Sequence, residues 1–203
     1  MYVQYGCGQH APETWRNFDS SPTLRLQRIP IIGSRFSGGR FPVFPPNVEY
    51  GDIVEGLPVG QQSCQAIYCA HVLEHLTLED CRAALRNTFR HLKPGGTFRL
   101  VVPDLQQIAS DYVQSDGSYA FMEILQLGRT SRPHSLEGFA REWLGNGHHL
   151  WMWDFTSLNR ELQEAGFWDI RRAEYGDASE QRFKEVELED RWACCLGIEC
   201  RRA

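Results

Sequence analysis

Ala70–Leu76 (AHVLEHL) is the stretch that decides the fold of this chain. The apolar run Ala66–Cys69 precedes it, and a pattern of helical spacing follows it as far as Lys93–Gly96 (KPGG). The alternating run Thr97–Val102 comes next. This order of strand, polar turn, helix, glycine turn and strand is half of a doubly wound sheet. Ligands bind such sheets beyond the carboxyl ends of their strands, so we expect the polar side chains of AHVLEHL at a ligand site.

Length and composition are those of a water-soluble protein with one sizeable core. The chain has 203 residues, of which 42% are hydrophobic and 23% charged, and its formal net charge is −5. Nucleic-acid-binding domains usually carry a basic excess, so we expect no nucleic-acid partner. No run approaches the roughly 20 apolar residues of a membrane-spanning helix. Residues 1–5 enter a strand pattern directly, without a signal segment, which predicts a cytoplasmic protein.

The cysteine pattern indicates free thiols. The seven cysteines are an odd number with irregular spacing, which is untypical of a disulfide framework. Cys7, Cys64, Cys69 and Cys81 lie in apolar segments, where a thiol behaves as a small hydrophobe. The three cysteines near the C-terminus have neither C-x-x-C spacing nor an accompanying histidine cluster. We therefore predict a reduced protein without a metal site.

The periodic segments predict an α/β protein with one domain over residues 1–203. Irregular segments at about 20–46 and 116–153 are predicted insertions, and the apolar content of the first indicates that it packs over the sheet. The predicted strands are Tyr2–Tyr5, Thr14–Phe18, Val48–Tyr50, Ala66–Cys69, Thr97–Val102, Trp168–Ala173 and Trp192–Cys200. The predicted helices run from about Thr77 to Leu92, Asp104 to Val113 and Asp154 to Ala165.

Tyr5-Gly6-Cys7-Gly8 follows the first predicted strand, and with AHVLEHL and KPGG it resembles class I S-adenosylmethionine-dependent methyltransferases. The resemblance is to the methyltransferase type 11-like group, in a bacterial branch with a shortened first loop. It implies a doubly wound, Rossmann-like and mostly parallel sheet with a C-terminal antiparallel hairpin. Asp19 comes only eleven positions after Gly8, too few for a regular helix plus a strand, so we expect the first helix to be reduced or absent.

The resemblance also implies S-adenosylmethionine as the cofactor and S-adenosylhomocysteine as its product. In this family, glycines after the first strand let the backbone approach the methionyl part. Asp19 matches the carboxylate that accepts hydrogen bonds from the ribose hydroxyls. Asp52 matches the position that contacts the adenine amino group, with Ile53 over the ring. The full set of expected cofactor-binding residues is Tyr5, Gly6, Cys7, Gly8, Asp19, Asp52, Ile53, Ala70 and His71.

Methyl transfer is an in-line displacement at the sulfonium methyl group, and a base that takes a proton from the acceptor assists it. The catalytic candidates are His71, His149 and Asp154, and His75 and His148 are further candidate bases. Asp154 could instead cap a helix. His75 could equally anchor its loop through hydrogen bonds.

Two groups of residues near these candidates could contact the acceptor. Trp151 and Trp153 could stack on a sugar or another planar group, or they could belong to the core. A basic cluster could hold an anionic substrate or form a solvated loop face; it consists of Arg129, Arg132, His134 and Arg141.

The predicted function is methyl transfer to a small-molecule or glycan acceptor, by a monomer or a homodimer. The alternative is a non-catalytic partner-binding protein that keeps the fold. A nucleotide-binding oxidoreductase or epimerase needs G-x-G-x-x-G at the start of a helix, whereas Pro12 and the missing third glycine interrupt that pattern here.

Overall fold

The computed structural model describes residues 1–30, 33, 42–114, 117–127 and 148–203. Its strands are β1 (Tyr2–Tyr5), β2 (Arg16–Asp19), β3 (Val48–Tyr50), β4 (Cys64–Ala70), β5 (Leu92–Pro103), β6 (Phe167–Ala173) and β7 (Cys195–Arg202). Its helices are α1 (Pro22–Gln27), α2 (Leu78–His91), α3 (Leu105–Gln114), α4 (Tyr119–Leu125) and α5 (Phe155–Glu164), and short 3₁₀ turns span Leu73–His75, Gln181–Glu185 and Glu189–Arg191.

A seven-stranded sheet runs through the described part of the chain in the order β3-β2-β1-β4-β5-β7-β6. Strands β1 to β5 pair in parallel, and β7 pairs antiparallel with both β5 and β6. The predicted Rossmann-like, mostly parallel sheet with a C-terminal antiparallel hairpin is therefore confirmed. The chain changes direction across the sheet between β1 and β4, so their carboxyl ends flank the crevice where such sheets bind ligands.

The two faces of the sheet alternate along β4. Ile67 and Cys69 belong to a core built with α2 and α5, whereas Ala66 and Tyr68 belong to a second core on the opposite face. Because both faces are buried, β4 is apolar along most of its length, as is typical of a central parallel strand.

Helix α2 covers the first face because its apolar residues recur at helical spacing. The Thr77 hydroxyl oxygen accepts a hydrogen bond from Asp80 N–H and caps the N-terminus. Cys81, Ala84 and Leu85 are fully buried on its inner side. The helix thus holds the loop between β4 and α2 against the sheet.

No helix connects β1 to β2 within residues 6–15, all of which the structure describes, so the expected loss of the first helix is confirmed. The segment between β6 and β7 covers the second face of the sheet. Its Phe183 ring lies with its centroid 5.6 Å from that of Trp15 and 6.1 Å from that of Tyr68. A C-terminal connection therefore occupies this face.

A buried ion-pair cluster fixes that connection to the sheet. Arg99 on β5 is fully buried and pairs with Glu187 of the connection and Glu199 of β7. Its guanidinium also pairs with the partly exposed Asp177 and donates a hydrogen bond to the Glu174 carbonyl. A buried charge is tolerated only when paired and hydrogen-bonded, so this cluster ties the β6–β7 connection to β5.

Several strand boundaries differ from the predicted ones. Strand β5 starts at Leu92 and not at Thr97, because KPGG forms an irregularity within the strand: Cys64 pairs with Leu92, and Ala66 pairs with Thr97. Two residues of β4 thus oppose a longer stretch of β5, as in a bulge. The glycine turn leaves the ladder without ending the strand.

Strands β2 and β7 begin later than predicted, because turns occupy the predicted starts. Trp15 N–H donates to the Pro12 carbonyl just before β2, and Trp192 N–H donates to the Glu189 carbonyl before β7. Helices α1 and α4, which have no predicted counterpart, lie in the two predicted insertions.

The described part of the first insertion packs beside the β1–β2 turn. Leu24 of α1 and Phe44 are buried against Cys7 and Val48. All seven cysteines are free thiols, as predicted. Among the described helices, none combines the length and the apolar character needed to cross a lipid bilayer.

Candidate active site

The carboxyl ends of β1, β2 and β4 bring three predicted site positions to one edge of the sheet. Strand β1 pairs with both β2 and β4, so Gly6, Asp19 and His71 end or follow neighbouring strands. This is the edge at which the sequence predicts a ligand.

The Asp19 carboxylate is held by the backbone around it. Its Oδ2 accepts a hydrogen bond from Gly8 N–H at 3.0 Å, and its Oδ1 accepts one from Ser21 N–H at 2.8 Å. Each carboxylate oxygen has a second lone pair, and the residue is only partly buried. Asp19 can therefore accept further hydrogen bonds from a ligand without moving.

Both glycines after β1 have left-handed backbone angles, φ +66° at Gly6 and +56° at Gly8. A Cβ at Gly6 would lie 2.1 Å from Val72 Cγ2, so the loop after β4 packs directly on this turn. A Cβ at Gly8 would lie 3.6 Å from Arg191 Nη2. At Gly6, glycine is thus required by contact with Val72, and the cofactor contact expected there stays a prediction.

The side chains of Tyr5 and Cys7 face the interior. The Tyr5 hydroxyl lies 3.3 Å from Thr88 Oγ1 in the core. Cys7 packs beside Leu24, and burial together with the nearby Asp19 carboxylate raises the pKa of its thiol to about 12. Tyr5 and Cys7 therefore offer a ligand their backbone and not their side chains.

Asp52 and Ile53 follow β3 at the same edge, next to the end of β2. Asp52 Oδ1 accepts a hydrogen bond from Val54 N–H at 2.9 Å, and the Asn87 side chain donates to the Ile53 carbonyl at 2.9 Å. Asp52 is partly exposed, whereas the Ile53 side chain is 4% exposed within the main core. Asp52 is the one of the pair whose side chain is open to a ligand.

Ala70 and His71 end β4 and begin the loop after it. Ala70 is buried, and His71 has a left-handed φ of +55° while its N–H donates to the Val101 carbonyl. The ring nitrogen Nδ1 lies 3.2 Å from Glu74 Oε1, and Nε2 lies 3.0 Å from the Arg191 carbonyl. Both ring nitrogens are therefore engaged.

The surroundings of His71 favour its protonated form. Burial lowers the pKa of His71, but interactions with Cys195, Glu74 and the Arg191 backbone oppose burial and raise the pKa to about 10. At neutral pH the imidazole is then a cation that donates two hydrogen bonds. Such a group can orient neighbours but does not accept a proton.

A short segment from the second insertion docks on this loop and places His149 there. The N–H groups of Leu150 and Trp151 donate to the Glu74 carbonyl at 2.7 and 3.2 Å. His75 Nδ1 lies 3.1 Å from the His148 carbonyl. These contacts bring the His149 ring to a centroid distance of 5.0 Å from that of His75.

Glu74, His75 and His149 form a compact cluster, in which one donor atom of each lies within 4.8 Å of the others. Glu74 is fully buried and His149 is 7% exposed. Burial lowers the pKa of His149 below the usual histidine value, which keeps its ring neutral at neutral pH. The structure therefore unites His71 and His149, which are far apart in the sequence, around Glu74.

Asp154, the third catalytic candidate, is a helix cap. Its Oδ1 accepts hydrogen bonds from Ser157 N–H and Ser157 Oγ, both at 2.7 Å, in a capping box at the start of α5. Of the neighbouring tryptophans, Trp153 is 1% exposed and donates to the Leu73 carbonyl, whereas Trp151 is 43% exposed. Trp153 is thus a core residue, and Trp151 is the ring open to an acceptor.

Arg191 is a residue at this edge that sequence reasoning did not identify. The Arg191 guanidinium lies beside the glycine turn, because a Cβ at Gly8 would lie 3.6 Å from Arg191 Nη2. The Arg191 carbonyl lies 3.0 Å from His71 Nε2. Among the described residues its guanidinium has no ion-pair or hydrogen-bond partner. No local pattern could reveal it, because Arg191 lies in the β6–β7 connection, far from Gly8 in the sequence. The predicted basic cluster lies outside the described residues; its members are Arg129, Arg132, His134 and Arg141.

Comparison with known proteins assigns a family to this arrangement. A family model described as a methyltransferase domain matches residues 5–171. No protein of curated function matches the chain.

Several solved structures with a similar fold are methyltransferases. One is an S-adenosylmethionine-dependent methyltransferase from Thermotoga maritima that is described as a possible histamine N-methyltransferase. It has a TM-score of 0.50 and 15% identity, and the alignment covers 100% of this chain and 82% of that chain. Another, from Archaeoglobus fulgidus, has a TM-score of 0.51 and 14% identity over 99% of this chain and 85% of that chain. A third, from Mesorhizobium loti, has a TM-score of 0.50 and 19% identity over 99% of this chain and 90% of that chain. At these identities the likeness shows the fold alone.

Proposed function

Because the chain belongs to the methyltransferase domain family, we propose that it transfers a methyl group from S-adenosylmethionine to a small-molecule or glycan acceptor and releases S-adenosylhomocysteine. The observation that carries this proposal is the Asp19 carboxylate, held at the carboxyl end of β2 by Gly8 and Ser21 with lone pairs to spare. A ribose with two adjacent hydroxyls is a suitable donor for such a carboxylate.

The cofactor would lie across the ends of β1, β2 and β3. Asp19 would accept hydrogen bonds from the ribose hydroxyls, and the partly exposed Asp52 would accept one from the adenine amino group. Tyr5 to Gly8 and Ala70 would contact the cofactor through their backbone, because the larger side chains among them face the core. Ile53 would line the adenine side from the core, and His71 would border the methionyl side.

Arg191 is proposed to bind the carboxylate of the methionyl part. The chain has no helix between β1 and β2 whose N-terminus could receive that carboxylate. The Arg191 guanidinium lies beside the glycine turn instead and has no described anionic partner. Arginine binds carboxylates in a bidentate geometry, so a C-terminal residue would replace the missing helix.

Methyl transfer needs alignment more than it needs a base. The acceptor atom must lie in line with the carbon–sulfur bond, and such positioning contributes about 7–11 kcal/mol. A general base adds roughly 10²- to 10⁴-fold. Of the three catalytic candidates, His71 is held protonated and Asp154 caps α5, whereas His149 is neutral and its Nδ1 has no partner among the described residues. His149 is therefore the candidate with a free lone pair to offer.

One observation favours the alternative, a non-catalytic partner-binding protein. Val72 and the Arg191 backbone approach the glycine turn and His71, so the loop after β4 and the β6–β7 connection meet at the cofactor edge. A pocket closed by these contacts would bind no cofactor. The two proposals therefore differ in whether the chain binds S-adenosylhomocysteine.

The Asp19→Ala variant tests the proposed function at its central contact. We expect it to weaken S-adenosylhomocysteine binding at least tenfold, since a charge-assisted hydrogen bond contributes about 1.5–3 kcal/mol. Isothermal titration measures the affinity, and Asp111→Ala on the exposed side of α3 is the matched control. Equal affinity of the Asp19 variant and the wild type would refute the assignment of this carboxylate.

A further inference from the structure

The cluster of Glu74, His75 and His149 contains two buried polar atoms without partners. Glu74 is fully buried, and its Oε2 has no hydrogen-bond partner among the described residues. The same is true of Nδ1 of His149, a residue that is 7% exposed. An unpaired buried polar atom costs free energy, and a buried carboxylate costs more. Two such atoms in one cluster indicate that something else satisfies them.

The other carboxylate oxygen is shared with the neighbouring histidines. Glu74 Oε1 lies 3.2 Å from His71 Nδ1 and 4.0 Å from His75 Nε2. His71 therefore engages only one of the two oxygens, which leaves Oε2 available. His75 Nε2 faces the carboxylate without reaching normal hydrogen-bond distance.

Backbone groups lie beside both cluster histidines. His75 Nδ1 lies 3.1 Å from the His148 carbonyl, which leaves Nε2 as its free lone pair. The Leu125 backbone lies near the His149 ring, and His149 Nδ1 has no hydrogen-bond partner among the described residues. Histidines that bind metals typically donate the other ring N–H to a carbonyl or a carboxylate in this way.

We propose that Glu74, His75 and His149 bind a divalent transition-metal ion. Two imidazoles and one glutamate are the donor set of several catalytic zinc sites, and imidazole ligands disfavour Mg²⁺ and Ca²⁺. The donors lie within 4.8 Å of one another. Around a tetrahedral ion with bonds of about 2.1 Å they would be about 3.4 Å apart, so small side-chain rotations close the site. Three protein ligands leave at least one position open.

The open position gives the ion a role that rests on the proposed function. An acceptor hydroxyl bound there would lose its proton to solvent more easily, because a bound ion lowers the pKa of an oxygen ligand. The oxygen would then bond to the methyl carbon while the carbon–sulfur bond breaks and its electron pair returns to sulfur. His149 acts as a ligand in this scheme, and the acceptor class is a compound with a hydroxyl group.

Metal titration tests the site without any methyl acceptor. After treatment with a chelator, the wild-type protein should bind Zn²⁺ with micromolar affinity or better by calorimetry, and added Co²⁺ should give visible absorption bands of a protein-bound ion. Glu74→Gln and His149→Gln should each weaken Zn²⁺ binding at least tenfold, since even outer-shell substitutions cost roughly 10- to 100-fold. His10→Gln, which alters a histidine outside the cluster on the β1–β2 connection, should bind as the wild type does.

The proposal would be overturned if the wild-type protein bound neither ion. It would also be overturned if both variants bound Zn²⁺ as the wild type does, because the ion would then lie elsewhere, for example on the exposed Cys194. Circular dichroism confirms that each variant is folded, and the two substitutions test the site independently. S-adenosylhomocysteine affinity is measured in the metal-free protein. Metal binding without cofactor binding would uphold the site and refute the proposed function, and the reverse result would refute the site alone.

Discussion

Gly6 lies at a contact that only glycine permits. Its φ of +66° is left-handed, and its missing Cβ leaves room for Val72, whose Cγ2 would lie 2.1 Å from a Cβ there. The motif that contains Gly6 was identified from local sequence, but the partner that requires glycine comes from the loop after β4. Sequence reasoning therefore found the residue but not its contact with Val72, and the cofactor contact expected of Gly6 stays a prediction.

Gly6→Ala should destabilise the protein more than a glycine substitution with open space around it. The left-handed backbone costs a non-glycine residue about 1–2 kcal/mol, and overpacking against Val72 adds about 1–3 kcal/mol. Gly176→Ala is the matched control, because Gly176 has φ +78° and nothing within 4 Å of its Cβ position. Urea unfolding measures the loss in free energy of unfolding for each variant. Equal losses for Gly6→Ala and Gly176→Ala would show that Val72 moves aside freely.

Arg191 allows a test of the methionyl contact separate from the adenosine contacts. Arg191→Gln should weaken S-adenosylhomocysteine binding roughly 10- to 100-fold, because a charge-assisted bond to the carboxylate is lost. Binding of 5′-methylthioadenosine, which lacks the carboxylate, should not change. Arg182→Gln on the same connection is the control. A parallel loss for both ligands would mean that Arg191 supports the fold of the pocket and does not bind the carboxylate.

Contacts between residues of distant segments could not be predicted from the sequence. Asp19 was predictable because it ends a strand just after the glycine turn. The approach of His149 to Glu74 depends on the hydrogen bonds from Leu150 and Trp151, which no local pattern reveals. The prediction of no metal site considered only the cysteines and the histidines near them in sequence, so it did not weigh Glu74, His75 and His149 together.

At the scale of elements, the three longest described helices were predicted closely because their signals are local. Helix α2 was expected from about Thr77 to Leu92 and spans Leu78–His91, with Thr77 as its N-cap. The glycine turn KPGG was expected to separate a helix from a strand, but it is an irregularity inside β5, because pairing with β4 already begins before it. Pairing partners, and not local composition, set that boundary.

The cap of α5 is a stability element, and Asp154→Ala should show this. We expect a loss of about 1 kcal/mol in the free energy of unfolding, typical for an N-cap, with unchanged S-adenosylhomocysteine affinity. Thermal or urea unfolding measures the first quantity and isothermal titration the second. A large loss of methyl transfer with unchanged stability would instead identify Asp154 as catalytic.

The contribution of this cap depends on pH with a definite sign. Hydrogen bonds from the Ser157 backbone and side chain lower the pKa of Asp154 in the folded state. A carboxyl group whose pKa is lower in the folded state than in the unfolded state stabilises the protein at pH values above its unfolded pKa of about 3.9. This stabilisation is lost as the pH falls through the folded-state pKa. The stability difference between wild type and Asp154→Ala should therefore be full at neutral pH and shrink in acid; a constant difference down to acid pH would contradict it.

The β6–β7 connection is the element that sequence reasoning described least well. No helix or strand was predicted between the last two strands, yet Phe183 and Val186 are buried against the second face of the sheet. The acidic residues of the connection are not only solvated, since Asp177 and Glu187 pair with the buried Arg99. Isolated apolar residues and long-range ion pairs have no periodicity, so the covering role of this segment emerges only from the fold.

At the scale of the whole molecule, the order of strands and the methyltransferase family follow from motifs in the correct sequence order. The reversal between β1 and β4 places the glycine turn, Asp19 and His71 at one edge, as the pattern of strand ends predicts. The single-domain organisation with its two insertions, the cytoplasmic location, the bacterial origin and the monomeric or homodimeric state stay predictions. The acceptor has no local signature, because insertions and loops form the surface that would contact it.

Binding of the cofactor is the central claim, and isothermal titration of the purified protein with S-adenosylmethionine and S-adenosylhomocysteine, with NAD as control, tests it most directly. We expect micromolar binding of both sulfur compounds and no binding of NAD. Failure of both sulfur compounds to bind would contradict it and favour a partner-binding protein, and NAD binding would overturn the cofactor assignment.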